Sequence, residues 1–204
     1  MKKTRTLAYV DGFNLYHAIN DLDRENLKWV NLWSLSESLL RKDEILVGVK
    51  YFSAYATWLP DQMNRHRAYT KALQHVGVDV ILGQFKKKRS WCSLCRRRYE
   101  TREEKETDLN LGLSLVTDGM LDMYDRAILI TADTDLRAAL KTAQQLCPEK
   151  EIFVAAPPGR MQRGRGLKPK YEVKPGRIAQ HLLDAEYKDK TGTVSVVRPE
   201  AYRP

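Results

Sequence analysis

The 204 residues suffice to bury one core but hardly two, and the 43% hydrophobic content is that of a soluble globular domain. No apolar run approaches the ~20 residues of a membrane span, the basic start is followed by only Leu7–Val10, too short for an export signal, and three cysteines (Cys92, Cys95, Cys147) argue against a disulfide framework and for a cytoplasmic protein. The net charge of +9 is localised: residues 86–98 carry seven Lys or Arg and no acid, residues 160–177 carry seven more with Glu172 alone against them, and the remainder is net −4.

In chain order, Thr6–Val10 reads as a strand, followed by a helix from Phe13 to about Asn20 and a polar loop over Asp21–Lys28. Leu32–Arg41 has apolar residues at 32, 35, 39 and 40, a helical spacing. Ile45–Tyr55 reads as the second strand, Pro60 to about Val76 as a helix stopped by Gly77, and Val78–Phe85 as a third strand. The basic segment from Lys86 to Glu104 interrupts the alternation. A helix from Thr107 to about Thr117, a strand at 126–131, a helix over Thr134–Leu146 and a short strand at Ile152–Ala156 follow. Pro157–Gly176 has the composition of a loop, Gly176–Tyr187 of a final helix, and 188–204 of a loose tail. Alternating strands and helices predict a single α/β domain, a three-layer sandwich around a mostly parallel sheet.

Two predicted strands end in acids. Leu7-Ala8-Tyr9-Val10 runs into Asp11, with Gly12 and Asn14 behind it, and Ala127-Ile128-Leu129-Ile130-Thr131-Ala132 runs into Asp133-Thr134-Asp135. Open α/β sheets place ligands beyond the carboxyl ends of their strands. Asp108, at the start of a predicted helix, supplies a third acid. Clustered carboxylates repel one another unless a cation neutralises them, and oxygen donors suit Mg2+ or Mn2+. Asp11 and Asp133 are the expected direct ligands, with Asp108 and Asp135 bound through water or a second metal. Asn14, one helical turn from Asp11, is placed to orient a phosphate, and Thr131 and Thr134 to donate to a phosphate or a carboxylate. Taken singly, Asp11 and Asp133 would also serve as helix N-caps, and Asp108 would complement a helix dipole.

At these residues the chain resembles the NYN family of PIN-like nucleases. The resemblance rests on Tyr9-Val10-Asp11-Gly12-Phe13-Asn14-Leu15, on Glu104-Lys105-Glu106-Thr107-Asp108, and on Leu129-Ile130-Thr131-Ala132-Asp133-Thr134-Asp135-Leu136, in the family's order. Ala132 stands where many relatives carry Gly, and Leu136 where many carry Phe. The resemblance implies a metal-dependent ribonuclease with Asp11, Asn14, Asp108, Asp133 and Asp135 at its site. Residues 1–156 would form the catalytic domain with a basic insertion at 86–104, and 157–204 a basic loop, helix and tail.

Cys92 and Cys95 form a CxxC knuckle, which has the spacing of half a structural zinc site and otherwise reads as two plain thiols in a hairpin. His17, His66, His75, His181 and Cys147 are the residues that would complete it within the chain, unless two chains share the metal. Lys86, Lys87, Lys88 and Arg89 precede the knuckle and Arg96, Arg97 and Arg98 follow it, with Trp91 and Tyr99 interleaved. Cations between flat aromatics suit single-stranded nucleic acid, RNA above all, and Arg160, Arg163 and Arg165 resemble a second basic arm. Lys105, one turn before Asp108 on a helix started early, could meet a phosphate. Trp33 and Trp58 read as core residues. A homodimer is compatible with paired basic arms. The competing readings are an RNA-binding protein of the same fold that does not cleave, and a haloacid dehalogenase-type phosphatase, whose Asp-x-Asp motif normally opens the chain.

Overall fold

The computed structural model describes residues 3–204. Ten strands and six helices are formed among them: β1 (Thr4–Asp11), α1 (Gly12–Asn20), α2 (Leu32–Glu37), β2 (Glu44–Ser53), α3 (Pro60–His75), β3 (Asp79–Leu82), β4 (Gln84–Trp91), β5 (Arg98–Lys105), α4 (Thr107–Met120), β6 (Arg126–Ile130), α5 (Arg137–Leu146), β7 (Glu151–Ala156), β8 (Tyr171–Glu172), α6 (Pro175–Gln180), β9 (Glu186–Lys188) and β10 (Val194–Val197). No described helix is long and apolar enough to cross a membrane.

Six strands form one parallel sheet in the order β3-β2-β1-β6-β7-β8. Both faces are covered, which is why β1 and β6 read as unbroken apolar runs rather than as alternating ones. Ala8, Val10, Ile128 and Ile130 pack with α1, α2, α3 and α6 on one face. Leu7, Tyr9, Ala127 and Leu129 pack with α4 and α5 on the other. The expected three-layer α/β sandwich is the observed one. The chain leaves β1 toward β2 on one side while β6 lies on its other side. That reversal opens a crevice at the carboxyl ends of β1 and β6, the usual ligand position in such sheets.

The predicted third strand is two strands, broken at Gly83. A side chain there would meet the Lys105 carbonyl oxygen at 2.6 Å and Thr107 Oγ1 at 2.7 Å. This close approach lets β4 leave the sheet and pair with β5 as an antiparallel hairpin, Gln84 opposite Lys105 and Trp91 opposite Arg98. The basic segment is therefore a projecting two-stranded arm. At its return Glu106 adopts φ 79°, in the left-handed region that non-glycine residues rarely occupy, and α4 starts at once. The second helix stops at Glu37, short of the expected Arg41, and Asp21–Lys28 contains much of a 3-10 helix, Glu25–Trp29.

The C-terminal part departs most from expectation. Within the predicted loop, Arg163–Leu167 is a 3-10 helix and Tyr171–Glu172 supplies the sixth sheet strand. The final helix ends at Gln180, and the expected loose tail folds into the β9–β10 hairpin and buries Val196 and Tyr202 in the core.

Candidate metal centre and nucleic-acid cleft

Asp11 closes β1 and caps α1, accepting from the Asn14 amide at 2.9 Å. Gly12 lets the helix start this close to the sheet, since a side chain there would meet the Phe52 carbonyl at 2.6 Å. Asp133 follows β6 and accepts from the Asp135 amide at 2.9 Å. Both acids thus cap a helix and also belong to the carboxylate cluster. Asp108 comes from the first turn of α4. One carboxylate oxygen from each of Asp11, Asp108 and Asp133 lies within 4.8 Å of the others.

Thr131 joins the two strand ends. Its hydroxyl donates to Asp11 Oδ2 at 2.7 Å and accepts from the Asp133 amide at 3.0 Å. Asn14 Oδ1 accepts from the Ala132 amide at 2.9 Å, leaving its NH2 as the group that can donate.

Burial pushes the Asp11 carboxyl up to about 7, against two hydrogen bonds that favour its charged form. Burial, aided by the charges of Asp133, Glu104 and Asp135, pushes Asp108 up to about 6. Acids held in this way take up a proton unless a cation relieves their charge. The donor set is all oxygen, part buried and part open, which fits a hard divalent ion of the Mg2+ or Mn2+ kind. Asp135, exposed on the 3-10 turn, lies outside the three-carboxylate group and acts on it through its charge.

The triad forms part of a cleft of about 490 Å3 whose walls include Arg160, Arg163, Glu104, His17 and Asp21. Arg160 pairs with Asp21, which fixes the guanidinium at the rim. Arg165 is exposed on the same 3-10 helix as Arg163 but does not line the cleft. The sequence does not single out Glu104 or Asp21, and it points to His17 only as a candidate zinc ligand. Only Glu104 carried a signal, its place in the Glu-Lys-Glu-Thr-Asp block.

The basic residues 86–89 and 96–98 lie on the hairpin arm, and none of them lines the cleft. Lys86, Lys87 and Lys88 face acids of the returning strand: Lys88 Nζ is 3.0 Å from Glu103, and Lys86 and Lys87 lie 4.0 Å from Glu106 and Glu100. Lys105 ends β5, not a helix, and pairs with Glu103 at 2.9 Å. Trp91, Leu94 and Tyr99 are exposed along the arm.

Cys92 and Cys95 sit at its tip, where N–H groups of Cys95 and Leu94 hold the Cys92 thiol below its ordinary range. Among the described residues no His, Cys or acid joins them as a third ligand. The residues that could complete a site within the chain lie elsewhere: Cys147 is buried in the domain, His75 meets Ser195, His181 meets Ser34, and His17 and His66 line cavities of the domain.

Comparison with known proteins agrees with this geometry. A family model described as the NYN domain matches residues 5–164. A curated relative, 6-hydroxy-3-succinoylpyridine 3-monooxygenase HspA of Pseudomonas putida, is 25% identical over 172 residues, which cover 67% of this chain and 54% of the relative. The chain thus spans about half the length of that relative. The crystal structure of a protein of unknown function from Vibrio parahaemolyticus superposes with a TM-score of 0.59 at 19% identity, over 89% of this chain and 98% of that one, a likeness of fold.

Proposed function

The chain belongs to the NYN domain family, and from that premise we propose that it is a metal-dependent ribonuclease acting on single-stranded RNA. The observation that carries this reading is the triad, three carboxylates within 4.8 Å at the carboxyl ends of β1 and β6. Asp11, Asp108 and Asp133 would hold the divalent ion. Once bound, such an ion supplies a water of lowered pKa and stabilises charge on a phosphoryl group.

The protein's own residues do the rest. Thr131 fixes the orientation of Asp11 and, through the Asp133 amide, the turn that carries Asp133. The Asn14 NH2 offers a neutral donor to a phosphate oxygen. Arg160 and Arg163 bring positive charge to a cleft that would otherwise repel a phosphodiester. The basic arm carries the strand by its backbone, with Trp91 and Tyr99 available for stacking.

The test is incubation of the chelator-stripped protein with labelled single-stranded RNA and its DNA counterpart, with Mg2+ or Mn2+ added back. Metal-restored cleavage of the RNA supports the reading. Tight binding of RNA without cleavage under either metal would replace it with the non-catalytic RNA-binding reading.

A further inference from the structure

Beside the acidic cleft lies a second cavity, of about 240 Å3, whose walls are mostly apolar and rich in Phe, Tyr and Trp. The two share Phe13 and His17 as a common wall. Phe85, at the root of the basic arm, stands edge-on to Phe13 at 5.4 Å and to Trp58 at 4.8 Å between ring centres. Arg102, from the same arm, places its guanidinium 4.6 Å from the centre of the Trp58 ring. Trp58 is half-buried and belongs to this wall, not to the core expected for it. The arm, the aromatic cavity and the acidic cleft are therefore in contact through Phe85 and Phe13.

We propose that this cavity is a base-binding subsite, which takes one unstacked nucleobase of a single-stranded RNA while a neighbouring phosphate lies at the acidic cleft. The proposal rests on the ribonuclease reading above. Size supports it, because drug-sized ligands occupy pockets of about 300–1,000 Å3, and this one is smaller, on the scale of a single ring system. Chemistry supports it as well. Single-stranded RNA is recognised by splaying bases onto aromatic side chains, a mode that tolerates any base because every base has a flat face. Polar edges are present at one end: His66 Nε2 lies 3.3 Å from the Tyr51 hydroxyl, and Gln62 and Arg65 line the same wall. Burial lowers the His66 pKa to about 4, so its imidazole is neutral near pH 7 and offers one donor and one acceptor. The occupant is argued from continuity: a strand led along a basic arm reaches this cavity and the carboxylates together.

The experiment uses the full chain with chelator present, so that no cleavage intervenes, and a short RNA in which a single 2-aminopurine is moved along the strand. Its fluorescence reports stacking and a terminal label reports affinity. Trp58→Ala removes part of the wall, and Ala56→Trp fills the cavity from a lining residue. The expected result is quenching at one position with the native protein, lost in both variants, with Kd raised about 5- to 100-fold, the range for loss of one base–aromatic stack. Thermal melts confirm that both variants fold.

Native affinity and quenching in the folded Ala56→Trp variant would overturn the subsite while leaving metal-restored cleavage, measured separately, to judge the nuclease. Saturable binding of a free hydroxypyridine with no binding of RNA would overturn it too, and would assign the cavity to a small aromatic ligand. Absence of any RNA binding by the native chain would overturn the subsite, and metal-restored cleavage would again judge the nuclease.

Discussion

The Thr131 hydroxyl donates to Asp11 Oδ2 at 2.7 Å, from the residue that follows β6 to the last residue of β1. The same oxygen accepts from the Asp133 amide. One short side chain therefore sets the separation of two of the three carboxylates. Partners that orient metal ligands in this way commonly contribute 10- to 100-fold in metal affinity or activity.

Thr131→Val keeps the shape and removes the hydroxyl. The expected outcome is Mn2+ affinity lowered about 10- to 100-fold and stability lowered by about 1–2 kcal/mol from the lost buried bond. Thr131→Ser restores most of both. Calorimetric titration with Mn2+ and urea melts measure the two effects, and unchanged affinity in the Val variant would contradict the orienting role.

The buried Asp11 makes the chelated protein sensitive to alkali. Its folded pKa of about 7 lies above the ~3.9 of an unfolded aspartate, so the folded state binds the extra proton between those values. Stability is then greatest below about pH 4 as far as this group is concerned, and falls as pH rises through 7. Asp108, raised to about 6, acts with the same sign. At pH 8 without metal, Asp11→Asn should stabilise the fold by about 1–3 kcal/mol, and saturating Mn2+ should stabilise the native chain but not the variant. Melting temperatures with and without chelator test this, and a destabilised variant would contradict it.

Salt dependence separates free from partnered cations on the arm. Each phosphate contact on a single strand contributes about 0.7 to the slope of log affinity against log salt. Arg96→Ala and Arg97→Ala, at the exposed tip, should each lower the slope by about that amount. Lys88→Ala should lower it less, because Glu103 already sits 3.0 Å from its ammonium. Equal slopes for all three variants and the native chain would remove the arm from the binding surface.

Much of the carboxylate cluster is legible in the sequence because two of its members follow buried strands. Asp11 and Asp133 stand where apolar runs stop, and runs buried on both faces are the plainest pattern a sequence offers. Asp108 was placed by its helix start. Asp135, expected to bind through water or a second metal, is exposed on the 3-10 turn that Asp133 caps and lies outside the three-carboxylate group. The break at Gly83 was hidden because residues 78–85 stay largely apolar across it, and the reason for it, contact with Lys105 and Thr107, is distant in sequence. The strand at Tyr171–Glu172 has two residues, too few for any period, and forms only because Ala155 and Ala156 present an edge. The aromatic cavity draws its walls from five separate segments, which no local pattern connects.

Under the proposed function, Asp11, Asp108 and Asp133 hold the ion that RNA cleavage requires. The most direct measurement is metal-restored cleavage of single-stranded RNA by the native chain beside Asp11→Asn, Asp108→Asn, Asp133→Asn and Asp135→Asn. Cleavage by the native chain is expected, with its loss by at least about 100-fold (~2.7 kcal/mol) in the first three variants and a smaller loss in Asp135→Asn, whose carboxylate lies outside the triad. Cleavage that survives substitution of Asp11 or Asp133 would contradict the assignment.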